Sequence, residues 1–118
     1  VGGNLRKVYN LIGLAQRAGK TSSGATAART SLLRNKACIL LMSEDISSNS
    51  RELLLKSCQK HNIPWIILGS RYELGNSTGK AYRVALTINE AGIAEAILKA
   101  IAAAGIEAKS MGVVEWPR

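Results

Sequence analysis

The stretch Gly13-Leu-Ala-Gln-Arg-Ala-Gly19-Lys20-Thr21 comes nearest in this chain to a phosphate-binding loop. Such a loop needs two glycines separated by four residues, followed by Lys and a Ser or Thr, because its backbone N–H groups must curl around the phosphates at one radius. Here five residues separate the glycines. A phosphate loop also joins a strand to a helix, so that the anion rests on the helix N-terminus. The apolar period Leu5, Val8, Ile12, Ala15 instead runs straight through Gly13 and ends at Gly19. Gly-Lys-Thr is therefore read as a helix exit, whose partial negative charge repels phosphate. A second candidate, Gly75 to Ala81, has three residues between its glycines and an alanine where the magnesium-binding hydroxyl is required.

Other chemistry is scarce. Glu44-Asp45 ends an apolar run, but adjacent carboxylates on an extended chain point to opposite faces and no third acid is placed to help hold a cation. There is no Gly-x-Ser-x-Gly elbow, and the single histidine, His61, offers few acid–base partners. Cys38 and Cys58 have no ligand-type neighbours and read as buried thiols of a reducing compartment. The expectation is a cytoplasmic protein that is not an enzyme and needs no cofactor or metal. No apolar run approaches the length of a membrane span, no signal peptide is visible, and a membrane partner is not expected.

The charge is informative. Sixteen Lys and Arg against eight Asp and Glu leave a formal +8 in 118 residues. Seven of the cations (Arg6, Lys7, Arg17, Lys20, Arg29, Arg34, Lys36) precede Glu44, the first acidic residue. Such an asymmetric field attracts polyanions, nucleic acid before anionic membrane. A length of 118 residues, with 47% hydrophobic and 20% charged residues, suits one domain with its own core, which must be aliphatic because there is no Phe.

The elements that position any site alternate. Asn4 is placed to cap a first helix that Gly19 stops. Lys20 to Ser22 is a short extended piece, Ser23 a second cap, and a helix follows from about Gly24 to Arg34 with Ala28, Leu32 and Leu33 inward. Ala37 to Met42 is a strand buried on both faces. Asn49 and Glu52 form a capping-box pattern for a third helix with Leu54, Leu55 and Cys58 inward, ended by His61-Asn62 before Pro64. Trp65 to Leu68 and Arg83 to Ile88 are strands separated by a turn-rich link with at most one helical turn, around Glu73 to Asn76. The alanine-rich segment with Ile93, Ile97 and Ile101 is the last helix, stopped by Gly105. This order predicts an α/β chain folded as a three-layer α/β/α sandwich around a small sheet. Residues 1–4 read as a disordered leader, 5–104 as one domain, and 105–118 either as a tail or as a segment that docks through Val113, Val114 and Trp116.

Two loops suit RNA. Lys20, Ser22, Ser23, Gly24 and Thr26 put small residues and a cation at the start of the second helix, where N–H groups and dipole favour a phosphate. Lys80, Tyr82 and Arg83 set an aromatic between two cations, a unit that stacks on a splayed base and contacts its phosphates. The alternative for Tyr82 is a ring packed on the sheet.

The blocks LIGLAQRAGKTSSG, ILLMSEDIS, NIPWIILGSRYELGNSTGK and YRVALTI resemble, in that order, the ribosomal protein L7Ae/L30e superfamily, and most of all its bacterial YlxQ-like members. The resemblance covers about Leu5 to Ala102. It implies a four-stranded mixed sheet, no catalysis, and binding to kink-turn RNA or a related bent internal loop, with ribosomal RNA and ribosomal proteins as partners. The family's Gly-x-Asn-Glu-x-x-Lys pattern at helix two falls on Gly24, Thr26, Ala27 and Thr30, with Arg29 between. Only Gly24 is kept. Ala27 has no acceptor for a guanine edge and Thr30 no charge, so base-specific readout should be weaker by about 1–3 kcal/mol per lost pairing. The resemblance further implies that Leu74 and Gly75 begin a contact turn, that Tyr82 stacks on the bulged nucleotide between Lys80 and Arg83, and that Asp45 and Ser47 border the bulge pocket. A protein-assembly module that has lost kink-turn recognition is the competing expectation; a substrate-binding domain of an RNA-modifying enzyme is the third.

Overall fold

The strands at the middle of the sheet are the apolar runs that lack polar alternation. The computed structural model describes residues 2–104 and 109–110. Its elements are α1 (Gly2–Arg17), β1 (Thr21–Ser23), α2 (Ala25–Leu33), β2 (Ile39–Met42), α3 (Ser48–His61), β3 (Trp65–Ile67), α4 (Arg71–Ser77), β4 (Ala85–Ile88), α5 (Ala91–Ala104) and β5 (Lys109–Ser110). Every residue of β2 and of β4 is buried. The strand order is β1-β4-β2-β3-β5; β2 and β3 are parallel and the other neighbours antiparallel. The four expected strands are present in a mixed sheet, and a fifth, two-residue strand from the stretch expected to be a tail pairs with β3. Val113, Val114 and Trp116 lie outside the described residues.

Alternation along the strands divides the core in two. Ile39, Leu41, Ile66, Leu86 and Ile88 face α1, α4 and α5, while Leu40, Met42, Trp65 and Ala85 face α2 and α3. A fully buried Leu or Ile contributes about 1.5–3 kcal/mol. For strands of three and four residues, that burial fixes their place more firmly than strand propensity does. The polar residues on the α2 side are hydrogen-bonded to one another: Thr87 and Ser31 hydroxyls donate to Asn89 Oδ1 at 2.9 and 2.8 Å, and Asn89 Nδ2 donates to Ser22 Oγ at 3.0 Å.

Several local readings shift. Helix α1 begins at Gly2, so residues 2–4 continue the helix rather than lead up to a cap at Asn4. Ser47, not Asn49, caps α3, its hydroxyl accepting the Ser50 N–H at 3.2 Å. Leu33 is 48% exposed, and Ser31 takes the inward position beside Ala28 and Leu32. The turn-rich link holds a two-turn helix, α4, because Ser70 and Glu73 form a reciprocal capping box that starts it.

This topology gives the sheet two unlike ends. Met42 pairs with Ala85 and Ser23 with Leu86, so β1, β2 and β3 finish where β4 begins. That loop end carries Gly24, Ser43 to Ser47, Leu68 to Ser70 and Lys80 to Val84. The far end carries Lys20, Lys36, Pro64 and Asn89.

Candidate nucleic-acid interface

Two glycine turns flank β1 and use their N–H groups differently. At the first, Lys20 N–H donates to Ala15 O at 2.8 Å and Gly19 N–H to Gln16 O at 3.1 Å, the pattern that closes a helix C-terminus through a left-handed glycine; Gly19 has φ 71°. Those N–H groups are consumed by α1, and no phosphate cradle forms there. At the second, Gly24 caps α2 with φ 105° and ψ 156°, a conformation essentially restricted to glycine. Its N–H donates to Ala85 O and its carbonyl accepts from Ala28 N–H, both at 2.8 Å. No side chain caps this helix, so its first-turn N–H groups remain for an outside acceptor. Ser23, expected as the cap, ends β1 instead, and its hydroxyl accepts from Arg83 Nε at 3.0 Å.

An open groove of about 480 Å³ lies between this helix start and the segment before β4, lined by Ser23 to Ala27 on one side and Tyr82, Arg83 and Val84 on the other. Arg83 is fixed along its wall, because Nη1 also donates to Tyr82 O at 2.7 Å. Tyr82 is 54% exposed, so its ring is not packed on the sheet. What holds it there is Gly75. A Cβ on Gly75 would stand 2.4 Å from Tyr82 Cα and 2.7 Å from Tyr82 N and C, and only a glycine lets α4 lie against this backbone. Lys80 N–H donates to Gly75 O and Arg83 N–H to Arg71 O, both at 2.8 Å, so both sides of Tyr82 are tied to α4.

The remaining expected residues divide. Thr26, Ala27, Arg29 and Thr30 are exposed on α2, and Lys80 is exposed beside Tyr82. Asp45 accepts from Arg71 N at 3.0 Å and from Arg71 Nε at 3.3 Å, while Arg71 Nη2 donates to Asp45 O at 2.7 Å. The neighbouring Ser43 hydroxyl, then the Arg71 hydrogen bonds and charge, hold the Asp45 carboxyl below the usual carboxylate range. Asp45 thus anchors the start of α4 to the β2–α3 link. Ser47 is both exposed and occupied as the α3 cap.

Three expectations need correction. Lys20 is at the far end of the sheet, not beside the α2 N-terminus, because the whole of β1 separates them. Ser22 faces the Asn89 network and its hydroxyl is engaged there. Leu74 is fully buried and Gly75 is buried beneath Tyr82; both belong to α4 rather than to a contact turn. Arg71, the exposed Tyr72 and Leu53 of a second groove of about 200 Å³ beside Arg29 were not singled out from sequence. The start of a capped helix at Ser70 was the available signal for Arg71; nothing in the sequence pairs Leu53 with α2.

Among the described residues no helix is long and apolar enough to cross a membrane. Residues 6–98 match the model of the Ribosomal protein L7Ae/L30e/S12e/Gadd45 family. The chain is 32% identical over 90 residues to the RNA-binding protein YlxQ of Bacillus subtilis, covering 76% of this chain and 90% of that one. It is 33% identical over 82 residues to the protein of the same name from Enterococcus faecium, covering 70% and 80%. A solved structure of a protein of unknown function from Bacillus halodurans superposes with a TM-score of 0.76 at 26% identity, over 80% of this chain and 95% of that chain. The Giardia lamblia 15.5kD RNA binding protein shares the fold, with a TM-score of 0.69 at 17% identity over 86% and 87% of the two chains. With all five helices and the four expected strands inside or overlapping the matched segment, this chain belongs to the L7Ae/L30e/S12e/Gadd45 family of ribosomal protein L7Ae relatives.

Proposed function

We propose that this protein binds structured RNA through the loop end of its sheet, taking a kink-turn or related bent internal loop of ribosomal RNA as a cytoplasmic, non-catalytic component of or associate of the ribosome. The observation that carries the reading is the groove in which a helix start without a side-chain cap meets a tethered Arg83 and an outward Tyr82. A sharply bent backbone brings a phosphate to the α2 N–H groups, while the bulged base stacks on Tyr82. The names carried by the two bacterial relatives support RNA as the ligand.

Recognition leans on shape more than on base edges. Thr26, Ala27 and Thr30 are exposed where the family pattern has Asn, Glu and Lys, and Ala27 has no group with which to pair a guanine. A second reading, a protein-assembly module, draws on the exposed Leu53 beside the α2–α3 groove. Titrating a kink-turn RNA, the same RNA straightened by disrupting its G·A pairs, and a plain duplex decides between them. The bent RNA is expected to bind at least 10-fold tighter than the straightened one; equal affinity for both would sink specific recognition at the loop end.

A further inference from the structure

Little of the surplus charge of this chain is at the loop end. There, Arg29, Arg51, Arg71, Lys80 and Arg83 are set against Glu44, Asp45, Glu52 and Glu73 on the links and the first turns of the helices, which leaves an excess of one cation. Helices α1, α2 and α3 all run toward the far end, and their last turns and following links bring Lys20, Arg34, Lys36 and Lys60 to it, every one exposed, while Arg17 turns back along α1 toward Glu73 and Asn76 of α4. One acid, Glu90, stands among them, and its Oε1 accepts the Ile93 N–H at 2.6 Å at the start of α5. None of these four cations joins an ion pair among the described residues.

Compensation of helix dipoles accounts for part of this. Arg34 and Lys60 stand at helix C-termini, where a cation is favoured. Lys20 and Lys36 lie beyond those turns, in the links that lead into β1 and β2. They flank the exit of β4: Asn89 N–H donates to Lys20 O at 2.7 Å and Cys38 N–H to Ile88 O at 2.8 Å. From β1 to β3 the far end is about 14 Å wide, three strand spacings, which lets its cations each meet a different phosphate of one rigid polyanion. Among the described residues the exposed aromatics, Tyr72 and Tyr82, both lie toward the loop end, and no exposed Tyr or Trp at the far end offers a stacking platform for single-stranded bases.

We propose that the far end is a second RNA surface, one that takes the phosphate backbone of a duplex without reading its sequence. It rests on the reading that the chain binds RNA, but it is tested apart from the loop end. The far-end variant Lys20→Gln/Arg34→Gln/Lys36→Gln and the loop-end variant Tyr82→Ala are titrated, beside wild type, with a plain RNA duplex of about 16 base pairs over a range of salt, their folding checked by thermal melting. Phosphatidylserine vesicles are the control anionic surface. The triple variant is expected to bind the duplex at least 10-fold more weakly, with a plot of log K against log salt shallower by about 2, while Tyr82→Ala stays within about twofold of wild type. Unchanged duplex affinity in the folded triple variant would overturn the proposal, as would a loss confined to vesicle binding. If bent and straightened RNAs bind alike, only the loop-end reading fails, and the duplex measurement still stands.

Discussion

One end of the sheet presents donors of fixed direction and an exposed ring; the other presents cations on flexible stems. At the loop end, the position of each functional group is set by backbone: Gly24 in a conformation that side chains rarely adopt, Tyr82 on a segment pressed against Gly75, Arg83 tied to Ser23. At the far end, Lys20 and Lys36 require only exposure. A fixed donor discriminates shapes because a misplaced acceptor loses the bond, whereas a mobile ammonium follows a phosphate wherever it lies. The loop end should therefore be sensitive to a single methyl group and the far end to charge alone.

Gly75→Ala breaks the comparison most severely. The added Cβ meets backbone rather than the tip of a side chain, so the 80–83 segment must move. It should cost about 1–3 kcal/mol of folding stability by overpacking, measurable by urea denaturation, and weaken bent-RNA binding more than removal of the Tyr82 ring does. Wild-type affinity in Gly75→Ala would show that the position of the segment is irrelevant to the ligand. Tyr82→Ala comes next, with an expected loss of about 1–3 kcal/mol in bent-RNA binding, read by isothermal titration, and little change in stability because the ring is half exposed.

Ala27→Glu sharpens the comparison in the other direction. An acceptor on the exposed first turn of α2 should tighten binding to the kink-turn RNA over its straightened form by up to about 1–3 kcal/mol, the worth of a good base pairing. An unchanged ratio in competitive titration would mean that α2 does not face the G·A pairs. Lys20→Gln should have the smallest effect: kink-turn affinity within about twofold of wild type, since β1 separates it from the groove. A tenfold loss would place the bent RNA across both ends.

The fold was legible in the sequence to a large degree, for reasons visible in particular residues. Ile39 to Met42 and Ala85 to Ile88 are continuous apolar runs and became the central strands, while Gly19 ended α1 as its place after an apolar period implied. What escaped was local competition among polar residues. Ser47 and Asn49 are both able to cap α3, and only the path of the chain leaving β2 selects Ser47. Likewise Ser23 has a capping side chain, but Arg83, sixty residues later, occupies its hydroxyl and the cap passes to Gly24.

By itself the sequence determined the chain's alternation of helices and strands, its family blocks, its excess of positive charge and the departure at Thr26, Ala27 and Thr30, because periodicity, composition and residue identity are properties of the linear chain. Only the tertiary structure decided which of the named residues share a surface. Lys20 and Gly24 are four positions apart, yet an extended strand carries them to opposite ends of the sheet, whereas Gly75 and Tyr82 meet because α4 packs against a segment that strand pairing draws back toward it. Proximity of that kind depends on strand direction and packing, which local spacing does not encode.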